Sequence, residues 1–189
     1  MPKNIETKPA QSLGFKVGDA LWSNIFKKEN AEQRSTLAIM KSVPIFTGMS
    51  KPQLREFIKI MHNRQFKKGE AIFYEGEPGV GMYVIQKGAV AITKGKGFVE
   101  KLAELSVGEF FGELALLDES PRSATATAVV DCQMIGLFRP DLFDLVERKP
   151  RLGNKLLFQL ACLIGARLKR TNEELETVWA RIEDAKVIS

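Results

Sequence analysis

Residues 110–128 read FFGELALLDESPRSATATA and decide the fold, because the pattern changes three times within this short stretch. A glycine–glutamate pair precedes a short apolar run, a Pro-Arg-Ser-Ala segment follows, and an alternating strand completes it. Glu113 and Arg122 each lie beside residues of the kind that proteins bury, and charged side chains are seldom buried without a partner. These two charges therefore either pair with each other or hold a polar ligand.

Short alternating segments surround this stretch between residues 64 and 139. Glycine or proline-glycine turns separate them at intervals typical of small antiparallel sandwiches and barrels, and no long crossover helix suggests a parallel sheet. The six predicted strands are EAIFYEG, GMYVIQKG, AVAITKG, FVEKLAEL, SATATAVV and QMIGLF. We therefore predict a small antiparallel β-roll or jelly-roll barrel, in which GELALLD (112–118) forms an inserted helix of about two turns.

Helical patterns flank the predicted barrel, so the fold class is mainly β with helices (α+β). The segment 30–43 predicts one helix before the barrel. A clearer helix is predicted at 50–63, where Ser50 and Gln53 form a capping-box pattern. After the barrel, the segment 140–149 predicts a further helix between two prolines.

The C-terminal part predicts one long helix from 151 to 186. Seven apolar residues and one threonine recur along it at spacings of three and four: Leu160, Ile164, Leu168, Thr171, Leu175, Val178, Ile182 and Ala185. A length of roughly 50 Å exceeds what a small barrel covers, so we predict a two-fold homodimer whose long helices pair. The chain is then expected to have three parts: an irregular arm (1–28), a barrel domain with flanking helices (29–150) and a dimerisation helix (151–189).

Composition excludes several classes of protein. The 189-residue chain has one histidine and two cysteines, so neither a metal site nor a histidine-based triad is expected. Cys132 and Cys162 are expected to be buried free thiols. No secretory signal or membrane-spanning stretch is recognised, which predicts a cytoplasmic protein. The net charge of +5 is concentrated towards the N-terminus and suits nucleic acid, anionic lipid or an acidic partner, although a simply solvated region is favoured.

The chemistry of residues 112–122 suits a phosphate ligand. A helix start offers backbone N–H groups to an anion, and Gly112 permits close approach of a ligand to the backbone. Arg122 adds a planar cation that can grip a phosphate through two hydrogen bonds, whereas Glu113 accepts hydrogen bonds from sugar hydroxyls. A cyclic nucleotide has this combination of groups. An internal salt bridge between Glu113 and Arg122 explains the same residues equally well.

The sequence FGELALL followed by PRSATATA resembles the phosphate-binding cassette of cyclic nucleotide-binding domains, and the resemblance extends over about 43–180. It implies that Glu113 holds the ribose 2′-OH and that Arg122 pairs with the cyclic phosphate. Backbone N–H groups around Gly112, Leu114 and Ala115 would complete the anion site, and the hydroxyl of Ser123 would add a bond to the phosphate or base. One departure is Gly79-Val80-Gly81, where many family members carry an acidic residue in the turn.

A second resemblance concerns the base. The segment ARLKRTNEEL (166–175) is similar to the central helix of bacterial cyclic-AMP receptor proteins, in which a Thr-Ser pair at the dimer seam contacts adenine. The matching residues are Thr171 and Asn172, and the alternative is that Thr171 is an ordinary polar seam residue that sets the register. Cyclic AMP is therefore the expected ligand and no other cofactor is expected. Cyclic GMP is the alternative, since Ser123 supplies a hydroxyl typical of guanine-selective sites.

The expected output is regulation and not catalysis. The receptor proteins of this resemblance continue into a helix-turn-helix, whereas this sequence ends at Ser189, so DNA binding by that route is not expected. Kinase, P-loop and nucleophile-elbow motifs are absent, and a phosphodiesterase would need a metal or a base. We predict a sensor that signals to an unknown downstream protein, with a ligand-free interaction scaffold as the alternative.

Overall fold

The structure, a computed structural model, describes residues 35–95 and 99–187. The predicted irregular arm at 1–28 lies outside the described residues. Four helices are described: α1 (35–42), α2 (Lys51–Ile60), α3 (Arg139–Arg148) and α4 (Pro150–Val187). Two 3-10 turns are Pro44–Phe46 and Glu113–Leu116. Eight strands are β1 (His62–Phe66), β2 (Ala71–Phe73), β3 (Gly81–Lys87), β4 (Val90–Lys94), β5 (Glu100–Leu105), β6 (Phe110–Phe111), β7 (Thr125–Ala128) and β8 (Cys132–Phe138).

The strands form two four-stranded antiparallel sheets, one in the order β1-β8-β3-β6 and the other in the order β2-β7-β4-β5. Tyr83 and Ile85 of β3 pack towards the second sheet, whereas Met82 and Val84 of the same strand pack against the helices. The first sheet is thus covered on both faces, which explains why β3 is continuously apolar. The predicted α+β class and antiparallel β-roll are confirmed, although the two sheets do not close into one barrel.

Helix α2 begins as the sequence predicts and ends earlier. The Ser50 side chain accepts a hydrogen bond from the Gln53 N–H, and the Gln53 side chain accepts one from the Ser50 N–H. The prediction of helix up to residue 63 is wrong, because His62–Phe66 pairs with β8 as strand β1. Four of the five β1 residues are exposed, so the strand carries almost no alternating pattern.

The predicted two-turn helix at 112–118 is a four-residue 3-10 turn, Glu113–Leu116. This turn is pressed against the β2–β3 loop, since a Cβ on Gly79 would lie only 2.6 Å from the Cβ of Ala115. Tertiary packing therefore replaces the helix that the local sequence favours. The change leaves the cassette compact and keeps Glu113 beneath the surface.

Helix α4 has two different halves. Leu152, Leu156 and Leu160 of its first half belong to the core between the helices and the first sheet. Between residues 165 and 183 the side chains that the structure describes are exposed. The 38 residues of the whole helix correspond to about 57 Å. The cysteine prediction is half right, because Cys132 is buried and Cys162 on α4 is exposed. None of the described helices combines the length and apolar character that crossing a bilayer requires.

The capping box of α2 leads to a first prediction. Replacing Ser50 with alanine removes the side-chain acceptor for the Gln53 N–H and should lower the free energy of unfolding by about 1 kcal/mol. Urea denaturation measures the change. Ser42→Ala is the matched control, because that hydroxyl only donates to the Ile39 carbonyl, and we expect a change below about 0.5 kcal/mol. Equal losses in the two variants would contradict the capping role.

Candidate functional site

A cavity of about 530 Å³ lies between the second sheet and the 3-10 turn. All six cassette residues singled out from the sequence line it: Gly112, Glu113, Leu114, Ala115, Arg122 and Ser123. Ala115 is buried, Leu114 is about half exposed and Ser123 is exposed at the edge. The volume is large enough for a small nucleotide, and the charged side chains of Glu113, Arg122 and Arg167 line the cavity together with apolar ones.

The backbone of Arg122 is held by the loop between β2 and β3. Its N–H donates to the Glu77 carbonyl at 2.8 Å, and its carbonyl accepts from the Gly76 N–H at 2.9 Å. Pro78 and Pro121 form an isolated β-bridge beside these bonds. The arginine therefore starts from a fixed backbone position, although the residues around it carry no regular strand.

The side chain of Arg122 is buried, with 7% of its surface exposed, and it forms no ion pair with any described residue. Nη1 donates to the Gly112 carbonyl at 3.1 Å, and Cζ lies 4.0 Å from the centre of the Phe73 ring. Nε is buried and has no hydrogen-bond partner among the described residues. Burial lowers the pKa of the guanidinium below its usual value, while the nearby Tyr83 and Glu113 oppose that shift. A buried cation with an unpaired donor is a strong site for an anion.

Gly112 allows this arrangement because no other residue fits at its position. Its backbone is left-handed, with φ at +76°, and a Cβ there would lie 2.6 Å from Nη1 of Arg122. Such a Cβ would also lie 3.2 Å from the Gly81 carbonyl oxygen. The glycine therefore serves both the turn and the close approach of the guanidinium.

Glu113 does not pair with Arg122. The expected internal salt bridge is not formed, because the Glu113 carboxylate instead accepts a hydrogen bond from Nη1 of Arg167 on α4. Glu113 is buried, whereas the Arg167 side chain is about half exposed and its Cζ lies 5.4 Å from the centre of the Phe110 ring. Two arginines thus flank the cavity, and only Arg167 has a carboxylate partner.

Arg167 and the apolar wall of the cavity were not recognised from the sequence. Arg167 is one of many basic residues on a helix, and only its contact with Glu113 sets it apart. The apolar wall comes from inward-facing strand residues, which include Phe73, Ile92, Ala103 and Leu105. Alternation along β4 and β5 marks residues that face inwards, but alternation does not tell a core position from a cavity position.

Thr171 and Asn172 do not line the cavity formed by this chain. Both are exposed on α4, one turn beyond Arg167. Their predicted contact with adenine depends on a second copy of the helix and therefore stays a prediction. Among residues 35–95 and 99–187, no cluster of three or more His, Cys, Asp or Glu side chains is arranged to hold a metal ion.

Comparison with known proteins identifies a family that matches part of the chain. The family described as "Cyclic nucleotide-binding domain" matches residues 63–149. The Cyclic AMP receptor protein of Thermus thermophilus is 36% identical over 139 residues, which cover 72% of this chain and 62% of that protein. The cGMP-dependent protein kinase of Eimeria tenella is 36% identical over 124 residues, which cover 66% of this chain and 12% of that protein.

Solved structures agree with the sequence comparison. The crystal structure of the Thermus thermophilus catabolite activator protein has a TM-score of 0.66 and 34% identity, covering 71% of this chain and 62% of that one. Residues 63–149, slightly less than half of the chain, therefore have the sequence and the fold of a cyclic nucleotide-binding domain. The chain is similar to receptor proteins of this family and spans about 62% of the length of the Thermus receptor.

The left-handed glycine beside Arg122 leads to a second prediction. Gly112→Ala should strain the backbone by about 1–2 kcal/mol and displace Arg122, so both the free energy of unfolding and the affinity for a cyclic nucleotide should fall. Urea denaturation and calorimetric titration measure the two effects.

Gly48→Ala is the control for Gly112→Ala. Gly48 has φ at +73° with nothing within 4 Å of its added Cβ, so it has the same backbone strain without the collision, and it does not line the cavity. We expect the Gly48 variant to lose stability and keep its ligand affinity. Equal affinity losses in both variants would show that strain, and not the displacement of Arg122, weakens binding.

Proposed function

We propose that this protein is a cyclic AMP sensor whose ligand occupies the cavity at residues 112–123. The observation that carries the proposal is the buried Arg122 guanidinium beside a cavity of about 530 Å³, because its Nε has no hydrogen-bond partner within the described part of the chain. A buried cation without a carboxylate partner costs folding free energy, and an anionic ligand would repay that cost on binding. The cyclic phosphate supplies a single negative charge of suitable size.

The other cassette residues divide the remaining contacts. Glu113, a buried acceptor, suits the ribose 2′-OH, while Gly112, Leu114 and Ala115 line the same cavity and would lie beside the phosphate. Ser123 at the edge of the cavity adds a hydroxyl. The apolar wall of Phe73, Ile92, Ala103 and Leu105 offers a dry surface to the sugar and base.

Cyclic AMP is preferred over cyclic GMP on the strength of two sequence features. Asn172 and Thr171 match the pair that contacts adenine in the receptor proteins which α4 resembles, and the Thermus relative carries cyclic AMP in its name. Ser123 and the similarity to a cGMP-dependent kinase favour the alternative, cyclic GMP. The amide of Asn172 can bond to either base, so the preference rests on the receptor-like helix.

The site is connected to α4 through the pair of Glu113 and Arg167. A ribose hydroxyl that bonds to Glu113 would compete with Arg167 or share the carboxylate with it. Binding of the nucleotide would thereby change the restraint on α4, which is the coupling that a sensor requires. We propose that α4 transmits this change to a second copy of the chain and so to an unidentified downstream protein.

The exposed residues of α4 favour a pairing face that is shifted by about one residue along the helix from the predicted stripe. Leu160 and Ile164, which begin the predicted stripe, pack towards the core of the same chain. An exposed series with alternating spacings of three and four consists of Phe158, Ala161, Gly165, Leu168, Asn172, Leu175, Trp179 and Ile182. This regular heptad, which we call the α4 seam, suits a left-handed coiled coil and puts Asn172 at a polar seam position.

A ligand-free scaffold with the same fold is the alternative function. Its supporting observation is the exposed apolar series of α4, which would serve a protein partner whether or not the cavity binds a nucleotide. Calorimetric titrations with both cyclic nucleotides separate the two functions. Flat titrations with cyclic AMP and cyclic GMP would establish the scaffold and contradict the sensor.

A third prediction concerns Arg122. Arg122→Met should weaken cyclic AMP binding by about 2–5 kcal/mol, the range for loss of a buried charge contact, while the free energy of unfolding stays equal or rises because a desolvated charge is removed. Titration with cyclic AMP and cyclic GMP and urea denaturation measure both quantities.

Arg139→Met is the control for Arg122→Met. Arg139 also faces a phenylalanine ring, that of Phe143, but it pairs with Glu119 outside the cavity. Its replacement should leave nucleotide binding unchanged. An Arg122 variant that binds cyclic AMP as tightly as the parent would overturn the proposed site, and a large loss of stability would assign Arg122 a structural role.

A fourth prediction concerns the α4 seam. Trp179→Glu places a charge in the seam and should convert a dimer to a monomer. Val178→Glu on the neighbouring face should weaken the dimer far less. Trp179 and Val178 are similarly exposed, so the comparison is matched. Sedimentation velocity over a range of concentrations measures the effect. A monomeric parent protein, or dissociation only by the Val178 variant, would contradict the seam.

A further inference from the structure

Phe73 supplies an unusual partner for the buried Arg122 side chain. The guanidinium carbon lies 4.0 Å from the centre of the Phe73 ring, well within the range of a cation–π contact. Among the described residues, the Arg122 side chain forms one hydrogen bond, from Nη1 to the Gly112 carbonyl. No carboxylate among the described residues pairs with this arginine.

An aromatic partner leaves the charge and the hydrogen-bond donors of the guanidinium available to a ligand, whereas a carboxylate partner does not. A carboxylate would fix the guanidinium but would also neutralise its charge and occupy donors that a phosphate needs. A ring face attracts the cation without accepting its hydrogen bonds along the guanidinium plane. Arg122 thus has a defined position, and its Nε still has no hydrogen-bond partner among the described residues.

The Phe73 ring is itself held by other rings. Its centre lies 5.7 Å from that of Phe111 and 6.4 Å from that of Tyr83, and Phe111 stacks on Tyr83 at 5.7 Å. The backbone of Phe73 pairs with Ala126 on β7, the strand that follows Arg122 along the chain. The aromatic core between the sheets therefore fixes the ring plane that the guanidinium faces.

We propose that Phe73 is a positioning residue, whose ring face holds the Arg122 guanidinium towards the cavity without neutralising it. The role in ligand binding rests on the proposed function of the cavity. The effect on Arg122 itself does not depend on any ligand, so it is observable in the protein alone.

Affinity measurements form the first arm of the test. Phe73→Leu keeps an apolar side chain but removes the ring, and the dissociation constant for cyclic AMP should rise by about 5- to 30-fold. Phe73→Tyr keeps the ring face and should restore affinity to within about twofold of the parent. The matched control is Phe66→Leu, since Phe66 belongs to the same aromatic cluster and contacts Tyr83 edge-on without lying under Arg122.

The second arm is the NMR signal of the Arg122 Nε–Hε group in protein without added nucleotide. This signal is identified by its loss in Arg122→Gln. The ring face should shift it upfield and burial should slow its exchange with water. In Phe73→Leu the signal should move back and exchange faster, while in Phe73→Tyr and Phe66→Leu it should stay close to its position in the parent.

The outcomes are distinguishable. A Phe73→Leu variant that loses no more affinity than Phe66→Leu, a failure of Phe73→Tyr to restore binding, or an Nε–Hε signal unchanged by Phe73→Leu would each overturn the positioning role. If the parent protein binds no cyclic nucleotide, the proposed function fails, and the NMR arm alone then decides whether Phe73 orients Arg122.

Discussion

The desolvated guanidinium of Arg122 is the constraint around which the rest of the site is built. Moving a cation out of water costs several kcal/mol unless charges or hydrogen bonds compensate, and Arg122 has one carbonyl and one ring as compensation. Gly112 must lack a side chain to admit it, and the β2–β3 loop must hold its backbone. The proposed function gives a reason for keeping this destabilising group, because functional sites commonly lower the stability of the fold that holds them.

Local signals in the sequence were sufficient for much of the architecture. The capping box at Ser50 and Gln53 depends on residues three apart, so it is visible before any tertiary structure exists. The alternating strands are similarly local, and the cassette residues are concentrated within one short segment. Strand β1 was not predicted because four of its five residues are exposed, so its identity depends on pairing with β8. The 3-10 turn at Glu113–Leu116 likewise depends on packing against Gly79.

Helix α4 shows why the periodicity of the sequence alone does not identify which face of the helix is free to pair with a second copy. Leu168, Leu175 and Ile182 belong both to the predicted stripe and to the α4 seam, so the second half of the helix is compatible with either. The first half distinguishes them, because Leu160 lies in the core and Phe158 is exposed. Only the position of the sheets and α3 beneath the helix contains that information. The same long-range dependence hid Arg167, which is an ordinary helical cation until Glu113 lies next to it.

In the proposed sensor, the different partners of Arg122 and Arg167 would allow one cavity both to bind a nucleotide and to change the restraint on α4. If Glu113 neutralised Arg122, a phosphate would have to break an internal ion pair, and the gain on binding would be small. Instead Glu113 is matched by Arg167, whose side chain comes from another element and remains partly exposed. A phosphate at Arg122 needs no internal pair to break, whereas a hydroxyl at Glu113 must displace or share Arg167. In the proposed sensor, the contact at Arg122 would therefore contribute mainly affinity, and the contact at Glu113 would connect occupancy of the cavity to the position of α4.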